Sequence, residues 1–280
     1  MNQFLHRLIY SSIISALLFV VIYFSNEPAF QPVFLLVTGG FITGALWEYY
    51  SISKASGSNP VGSIGIIGSL IYLVMVYLSQ GNQAFGDWPL ITLALMLFSA
   101  FLYYFISGVS PFPNLAVTAF GVIYVTVPLS AFIPIDLMYG RYWLLYLLLV
   151  TKFTDIGAYF VGKQWGRHKL APMISPKKTW EGAVAGFITG SLASYLLHKA
   201  SGQWLGEELF SSSLQSLGFG ALMSIAAQLG DLSESLLKRA SGVKDSNALP
   251  GLGGLLDMVD SLVFTTPLLY FFLKLFGGST

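Results

Sequence analysis

Four aspartates interrupt the long apolar stretches of this 280-residue sequence, and their placement suits chemistry. Asp155 and Asp231 lie in two separate apolar stretches, while Asp257 and Asp260 share a third. A charged side chain that faces lipid costs at least about 2.5–3.5 kcal/mol, so we expect the acids to line a water-accessible cavity. At about 1.5 Å of helical rise per residue, Asp155, Asp231 and Asp257 would lie roughly 9–12 Å below the same membrane surface. We therefore predict that they form one site.

Carboxylates that share a cavity repel one another and take up protons unless a cation lies between them. Oxygen ligands without His or Cys nearby favour Mg²⁺ over zinc, and magnesium held by one or two carboxylates usually binds substrate phosphates as well. The sequence therefore predicts a magnesium site. The alternative is that the acids form salt bridges with Lys152, Lys238 or Arg239 and only fix helix packing.

A basic segment precedes one of the apolar stretches. Ser175 followed by Pro176 predicts the start of a helix, with the serine as N-cap and the proline in the first turn. Lys177 and Lys178 would then lie in that first turn, where the helix dipole is already positive. An anion bound at the helix N-terminus would explain such lysines. The alternative is a positive loop that contacts lipid headgroups.

A second basic segment contains Lys238, Arg239 and Lys244 and leads into a glycine-rich turn at residues 250–254. Glycines let a phosphate approach the backbone closely. An ordinary tight turn is the alternative, and the sequence of this segment alone favours the turn.

Gly182, Gly186 and Gly190 recur at every fourth position of the next predicted helix. This spacing is typical of close helix packing or of a dimer face. We assign the stripe to packing and leave a homodimer open.

The composition requires a membrane environment for these segments. Hydrophobic residues make up 55% of the chain and charged residues 10%, whereas soluble domains carry about 25% charged residues. We predict an all-α, polytopic integral membrane protein with about nine transmembrane helices. The predicted spans lie near residues 8–24, 29–50, 62–80, 89–109, 112–135, 142–162, 182–200, 214–238 and 252–275. A net charge of +1 argues against nucleic acid as a partner, and the absence of cysteine excludes disulfides and thiolate chemistry.

The distribution of charge predicts orientation and a division of roles. With a cytosolic N-terminus, the inner loops carry ten Lys or Arg residues and the outer segments three, which satisfies the positive-inside rule. Residues 152–260 contain nineteen charged side chains, whereas residues 8–151 contain six. We therefore predict one continuous membrane domain, in which residues 1–140 are scaffold helices and residues 141–280 form a catalytic half with cytosolic basic loops.

Several short motifs follow one another in the C-terminal half. They are Asp-Ile-Gly-Ala-Tyr at 155–159, Ser-Pro-Lys-Lys-Thr-Trp-Glu-Gly at 175–182, Gly-Asp-Leu at 230–232, Ser-Leu-Leu-Lys-Arg at 235–239, Lys-Asp at 244–245, Pro-Gly-Leu-Gly-Gly at 250–254 and Asp-Met-Val-Asp at 257–260. In these motifs and their order the chain resembles the phosphatidate cytidylyltransferase (CDP-diacylglycerol synthase) family. The resemblance extends over roughly residues 140–270, and an ordered set of motifs is far more specific than any one of them.

Two positions depart from the family's pattern. The signature histidine is Leu252 here, and the signature arginine is Met258. A lipid phosphate is already ionised at neutral pH and needs no base to become a nucleophile, so we expect the reaction to tolerate the loss of the histidine. An altered lipid substrate is left open.

The resemblance implies transfer of CMP from CTP to phosphatidic acid, with CDP-diacylglycerol and pyrophosphate as products. It implies one or two Mg²⁺ ions at the CTP phosphates, and an additional monovalent cation is left open. The implied metal ligands are Asp231, Asp257 and Asp260. The implied catalytic residues are Asp231, Asp257, Lys238 and Lys244. The implied substrate-binding residues are Ser175, Lys177, Lys178, Thr179, Arg239 and Asp155, of which Asp155 could instead bind the metal or pair with Lys152.

The partners expected on this interpretation are CTP, phosphatidic acid and membrane lipids. The expected location is the inner (plasma) membrane, with the active site facing the cytosol. One alternative is another CTP-dependent lipid enzyme, either a polyprenol-type kinase or a cytidylyltransferase for a different lipid phosphate. A cation-coupled transporter would also keep acids in its membrane core, but it should show inverted repeats and broken helices in both halves.

Overall fold

The computed structural model describes residues 20–25, 27–204, 206, 208–243 and 254–277. The described chain is helical apart from one small two-stranded sheet and short turns, as the sequence predicts. Residues 20–24 are helical. The elements that follow are α1 (Gln31–Ala55), α2 (Gly62–Gly81), α3 (Trp88–Ser107), α4 (Asn114–Tyr139), α5 (Arg141–Trp165), β1 (Lys169–Ala171), β2 (Ser175–Thr179), α6 (Trp180–Trp204), α7 (Ser213–Ala240) and α8 (Leu255–Phe276).

Six of the described helices, α1 to α5 and α8, are long and apolar enough to cross a membrane. Helices α6 and α7 are long enough, at 25 and 28 residues, but their described residues do not meet the same criterion of length and apolar composition. The class of protein is confirmed, whereas the count of nine spans is not. Most of the first predicted span, near residues 8–24, lies outside the described residues.

Helix α4 is irregular. It contains two π-helical segments, Val122–Thr126 and Ile135–Tyr139. Pro128 and Pro134 both lie between these two segments. Each proline lacks the backbone N–H that a regular helix would use as a hydrogen-bond donor. The irregularity therefore has a local cause in the sequence.

The start of α6 differs from the prediction. Residues Ser175–Thr179 form strand β2, which pairs antiparallel with β1 in a register that places Lys169 opposite Thr179 and Ala171 opposite Ser175. The helix begins four residues later than expected, at Trp180. The prediction of Ser175 as N-cap was wrong, because a residue before proline prefers extended backbone and here it finds a strand partner.

The described chain divides into two compact units by its contacts. The first contains the residues up to Arg141 and those described within 237–259. In it α2 packs against both α1 and α3, and its core includes Ile42, Leu46 and Leu73. The Tyr50 hydroxyl donates a hydrogen bond to the Thr118 carbonyl at 3.0 Å, which ties α1 to α4.

The second unit contains Tyr142–Leu236 and the described residues from Asp260 onward. Its core includes an aromatic cluster from four helical or loop segments: Trp143, Tyr146, Phe210, Phe219 and Phe272. Tyr146 is buried and its hydroxyl lies 2.7 Å from the Ser194 hydroxyl of α6. The scaffold and catalytic roles assigned to residues 1–140 and 141–280 stay a prediction.

The glycine stripe of α6 packs within the second unit. A Cβ atom at Gly182 would lie 2.7 Å from the Ala158 carbonyl oxygen of α5, and one at Gly186 would lie 2.9 Å from the Thr154 carbonyl oxygen. Both distances are too short for a side chain, so these glycines allow the backbones of α5 and α6 to touch. The assignment of the stripe to packing is confirmed.

Candidate active site

A cavity of about 630 Å³ opens in the second unit between α5, the β-hairpin, α6 and α7. Four lysines and two aspartates line it: Lys163, Lys169, Lys177, Lys178, Asp155 and Asp231. Such a volume is typical of sites for small molecules, which measure about 300–1,000 Å³. The charged lining suits an anionic ligand that carries several phosphates.

Lys178 and Asp231 form the central ion pair of this cavity, with the ammonium nitrogen 2.8 Å from a carboxylate oxygen. Strand β2 supplies the lysine and the interior of α7 supplies the acid. The side chains are 23% and 39% exposed, while the Lys178 ammonium nitrogen itself is buried. A lysine held beside a carboxylate can turn toward a phosphate while a cation replaces it at the acid.

Gly230 brings α7 into backbone contact with α8 beside this pair. A Cβ atom there would collide with the Asp260 carbonyl oxygen and lie 2.9 Å from the Ser261 Cα atom. The contact brings Asp231 close enough to Asp260 for their charges to interact, and Asp155 of α5 interacts with both. Three of the four predicted acids therefore lie within range of one another's charge in one unit.

These acids fit magnesium in the chemistry of their donors, since Mg²⁺ prefers carboxylate oxygens and water. Asp231 and Asp155 are reachable from the cavity, whereas Asp260 is 8% exposed and accepts a hydrogen bond from the Ser261 N–H. Among the residues that the structure describes, no three His, Cys, Asp or Glu side chains form a ready metal-ligand group. Asp231 forms its ion pair with Lys178. Asp155 lies 3.8 Å from the Lys152 ammonium, which is one of the salt bridges that the sequence offered as an alternative to metal binding.

Asp257 lies in the first turn of α8 and belongs to the first unit. It forms an ion pair with Lys238 and accepts a hydrogen bond from the Gly254 N–H at 3.1 Å. Its side chain is 40% exposed, while that of Lys238 is 9% exposed. The helix starts at Leu255, so Asp257 lies at a helix end and not in the apolar interior of a span.

Thr179 lines the cavity and also caps α6. Its hydroxyl oxygen accepts a hydrogen bond from the Gly182 N–H at 3.2 Å, which makes Thr179 the N-cap of α6. Glu181 follows in the first turn and accepts from the His168 ring nitrogen at 2.6 Å. The hydrogen bond from its own backbone N–H, and next the His168 side chain, lower the pKa of Glu181 to about 2.

The remaining predicted residues are placed as follows. Lys177 lines the cavity, whereas Ser175 lies at the far end of β2 and is not among the described lining residues. Arg239 is exposed near the C-terminal end of α7. Lys244 and Leu252 lie outside the described residues.

The sequence analysis did not assign Tyr159, Lys163 or Lys169 to the site. Asp155, Tyr159 and Lys163 are spaced four residues apart, which places them on one face of α5. The Lys163 ammonium lies 3.3 Å from the Tyr159 hydroxyl oxygen. That helical spacing is a sequence signal that could have identified both residues once Asp155 was chosen.

The fold defines a helical membrane protein, and its charged cavity suits an anionic ligand. The family model described as "Cytidylyltransferase family" matches residues 5–276, and the chain belongs to this family. The chain is 30% identical to a phosphatidate cytidylyltransferase of Chlamydia pneumoniae over 95% of its own length and 91% of the relative's. It is 34% identical to that of Bacillus subtilis, over 83% and 77% of the two chains. It is 38% identical to that of Thermotoga maritima, over 60% and 62%.

Proposed function

We propose that this protein transfers CMP from CTP to phosphatidic acid. The observation that carries the proposal is the cavity of the second unit, which combines four lysines with Asp155 and Asp231 in a chain of the cytidylyltransferase family. The relatives named phosphatidate cytidylyltransferase support phosphatidic acid as the acceptor. CDP-diacylglycerol and pyrophosphate are then the products.

The reaction needs no nucleophile from the protein. A phosphatidate oxygen attacks the α-phosphorus of CTP, a new P–O bond forms, and the bond to the β-phosphate breaks so that pyrophosphate leaves with its electron pair. Such transfers depend on positioning and on charge neutralisation. Lys177 and Lys178 line the cavity and would neutralise the triphosphate, and Lys163 and Lys169 would add positive charge on the same cavity.

Magnesium is the proposed cofactor, with Asp231 and Asp260 as its ligands in the second unit. When bound, it would neutralise charge on the CTP phosphates and on the leaving pyrophosphate. The assignment of Asp257 to the same ion stays a prediction. Without metal, Lys178 holds Asp231 in place.

The proposed location is the inner (plasma) membrane, with the cavity open to the cytosol. CTP is a soluble nucleotide and phosphatidic acid is a lipid, so the site must be reachable from both phases. The apolar helices provide the contact with lipid, and the basic hairpin carries three of the four cavity lysines.

Purified protein in vesicles that contain phosphatidic acid tests the proposal. With CTP and Mg²⁺ we expect pyrophosphate and lipid-linked cytidine to appear in equal amounts, and neither to appear when phosphatidic acid is omitted or the metal is chelated. CTP consumption with another phosphorylated lipid as acceptor would identify a different lipid enzyme. Uptake of a solute without any lipid product would contradict the proposal and favour a transporter.

A further inference from the structure

Glu48 is a buried acid in α1, in the part of the chain that the sequence analysis treated as scaffold. It is 1% exposed, and its Oε2 atom accepts a hydrogen bond from the Leu256 N–H of α8 at 2.9 Å. Its Oε1 atom has no hydrogen-bond partner among the described residues. A carboxylate at this depth is costly unless something nearby stabilises its charge.

The N-terminus of α8 provides that stabilisation. Helix starts leave four backbone N–H groups without partners, and a Ser, Thr, Asp or Asn side chain at the N-cap usually accepts one of them. The residue before Leu255 is Gly254, which has no side chain to do so. Glu48 therefore takes the place of the missing N-cap side chain and brings a negative charge to the positive end of the helix.

Asp257 completes the same arrangement from within α8. At the third position of the helix it accepts from the Gly254 N–H, as the acid of a capping box does, and it also pairs with Lys238. The amide that Glu48 holds thus belongs to the residue just before Asp257. Fixing Leu256 fixes the backbone from which the Asp257 side chain projects.

A packing contact one turn away reinforces this placement. A Cβ atom at Gly44 would collide with the Leu255 side chain, so the glycine leaves room for Leu255 on the surface of α1. Gly44 and Glu48 are four residues apart and lie on one face of α1. Two successive residues of α8 are therefore held by one face of α1.

We propose that Glu48 is a positioning residue for catalysis: it holds the first turn of α8 so that Asp257 and Lys238 keep their productive placement. This inference rests on the proposed function, since it assumes that Asp257 takes part in CMP transfer. It assigns a role in the reaction to a residue of the N-terminal half, where no motif pointed to one.

The test compares Glu48→Ala and Glu48→Gln with wild type by steady-state kinetics on folded, monodisperse protein. We expect E48A to lower kcat about 10- to 100-fold, the range expected from loss of support for a site residue, with KM for CTP changed far less. E48Q should recover a large part of kcat, because its carboxamide oxygen can still accept from the Leu256 N–H. Ser53→Ala is the matched control, since Ser53 is buried on α1 and donates to the Tyr49 carbonyl of its own helix.

If Glu48 only stabilises the fold, E48A will have a lower yield or Tm but an unchanged kcat per folded molecule. That result would overturn the inference. Amide hydrogen exchange of a peptide covering residues 254–258 provides a readout that does not depend on turnover. We expect faster exchange there in E48A than in wild type or S53A, and unchanged exchange would contradict the proposal. A wild-type protein without CMP transfer would contradict the proposed function instead, and exchange alone would then decide whether Glu48 positions α8.

Discussion

At the level of single residues, the ion pair between Lys178 and Asp231 matters more for the proposed ligand site than for the stability of the fold. Both are partly exposed, and such pairs contribute only about 0–1 kcal/mol to stability. Their energetic value to the fold is therefore small. Their position on a cavity with three further lysines supports the proposed role in ligand binding instead.

Asp231→Asn tests that role directly. We expect the variant to fold with a Tm close to that of wild type, because a weak ion pair is all that it loses. We expect kcat for CMP transfer to fall about 10²- to 10³-fold, as is typical when electrostatic stabilisation of the transition state is lost, because the amide would hold the proposed Mg²⁺ more weakly. Enzyme assays and thermal unfolding in the same detergent measure both quantities.

Asp87→Asn is the control for this experiment. Asp87 is exposed at the start of α3 and lies outside the cavity, so its conversion to an amide should leave kcat within about twofold of wild type, in line with the small effects of most surface substitutions. Near-normal turnover of D231N would remove Asp231 from the metal and phosphate site.

At the scale of elements, the contact between α7 and α8 determines which acids meet. Gly230 permits backbone contact with Asp260 and Ser261, and the residue after it is Asp231. The sequence motif Gly-Asp-Leu therefore combines a packing residue with a proposed metal ligand. Close contact of two helices at a small residue is the usual way in which membrane helices approach.

Gly230→Ala should disturb both packing and activity. The added methyl group meets backbone atoms that cannot move aside without shifting α8, and such overpacking costs about 1–3 kcal/mol. We expect a lower Tm and a lower kcat, because Asp260 is displaced relative to Asp231. Thermal unfolding and CMP-transfer assays measure the two effects.

Gly218→Ala on the same helix is the matched control. A Cβ atom at Gly218 meets nothing within 4 Å, and alanine favours a helix over glycine by up to about 1 kcal/mol. G218A should therefore equal or exceed the Tm of wild type. Equal behaviour of G230A and G218A would show that the α7–α8 contact is not required.

The elements were predictable to different degrees. Apolar runs located α1 to α8 within several residues, because helices are the expected elements in lipid. The predicted start of α6 was wrong, because Ser-Pro is compatible with both a helix start and an extended segment. Pairing with the strand Lys169–Ala171 favours the extended segment. Such a tertiary partner leaves little trace in local sequence.

The candidate site was predictable where a motif carried it. Lys177, Lys178, Thr179, Asp155 and Asp231 line one cavity, as the clustering of acids and basic residues led us to expect. The contact of Glu48 with the start of α8 was not predictable, because a single acid in an apolar stretch is equally compatible with a position at the membrane interface. The partner of Glu48, the amide of Leu256, lies 208 positions away in the sequence.

At the scale of the whole molecule, orientation in the membrane decides whether CTP reaches the cavity. The positive-inside distribution predicts that the hairpin faces the cytosol and that the turn between α2 and α3 faces outward. The chain contains no cysteine, so single cysteines report the exposure of chosen sites without background labelling.

Met173→Cys and Ala84→Cys test the orientation as a pair. Both positions are exposed, Met173 at the hairpin turn and Ala84 between α2 and α3. We expect an impermeant maleimide to label A84C in intact cells and to label M173C only after the membrane is opened. The reverse pattern would contradict a cytosolic active site.

Isotopic labels at the two ends of the CTP triphosphate test CMP transfer to phosphatidic acid most directly. Parallel reactions of the purified protein with phosphatidic acid would use CTP labelled either at the α-phosphate or at the γ-phosphate. We expect the α-label to enter the extracted lipid and the γ-label to leave with pyrophosphate. Entry of the γ-label into lipid, or label in neither lipid nor pyrophosphate, would contradict CMP transfer.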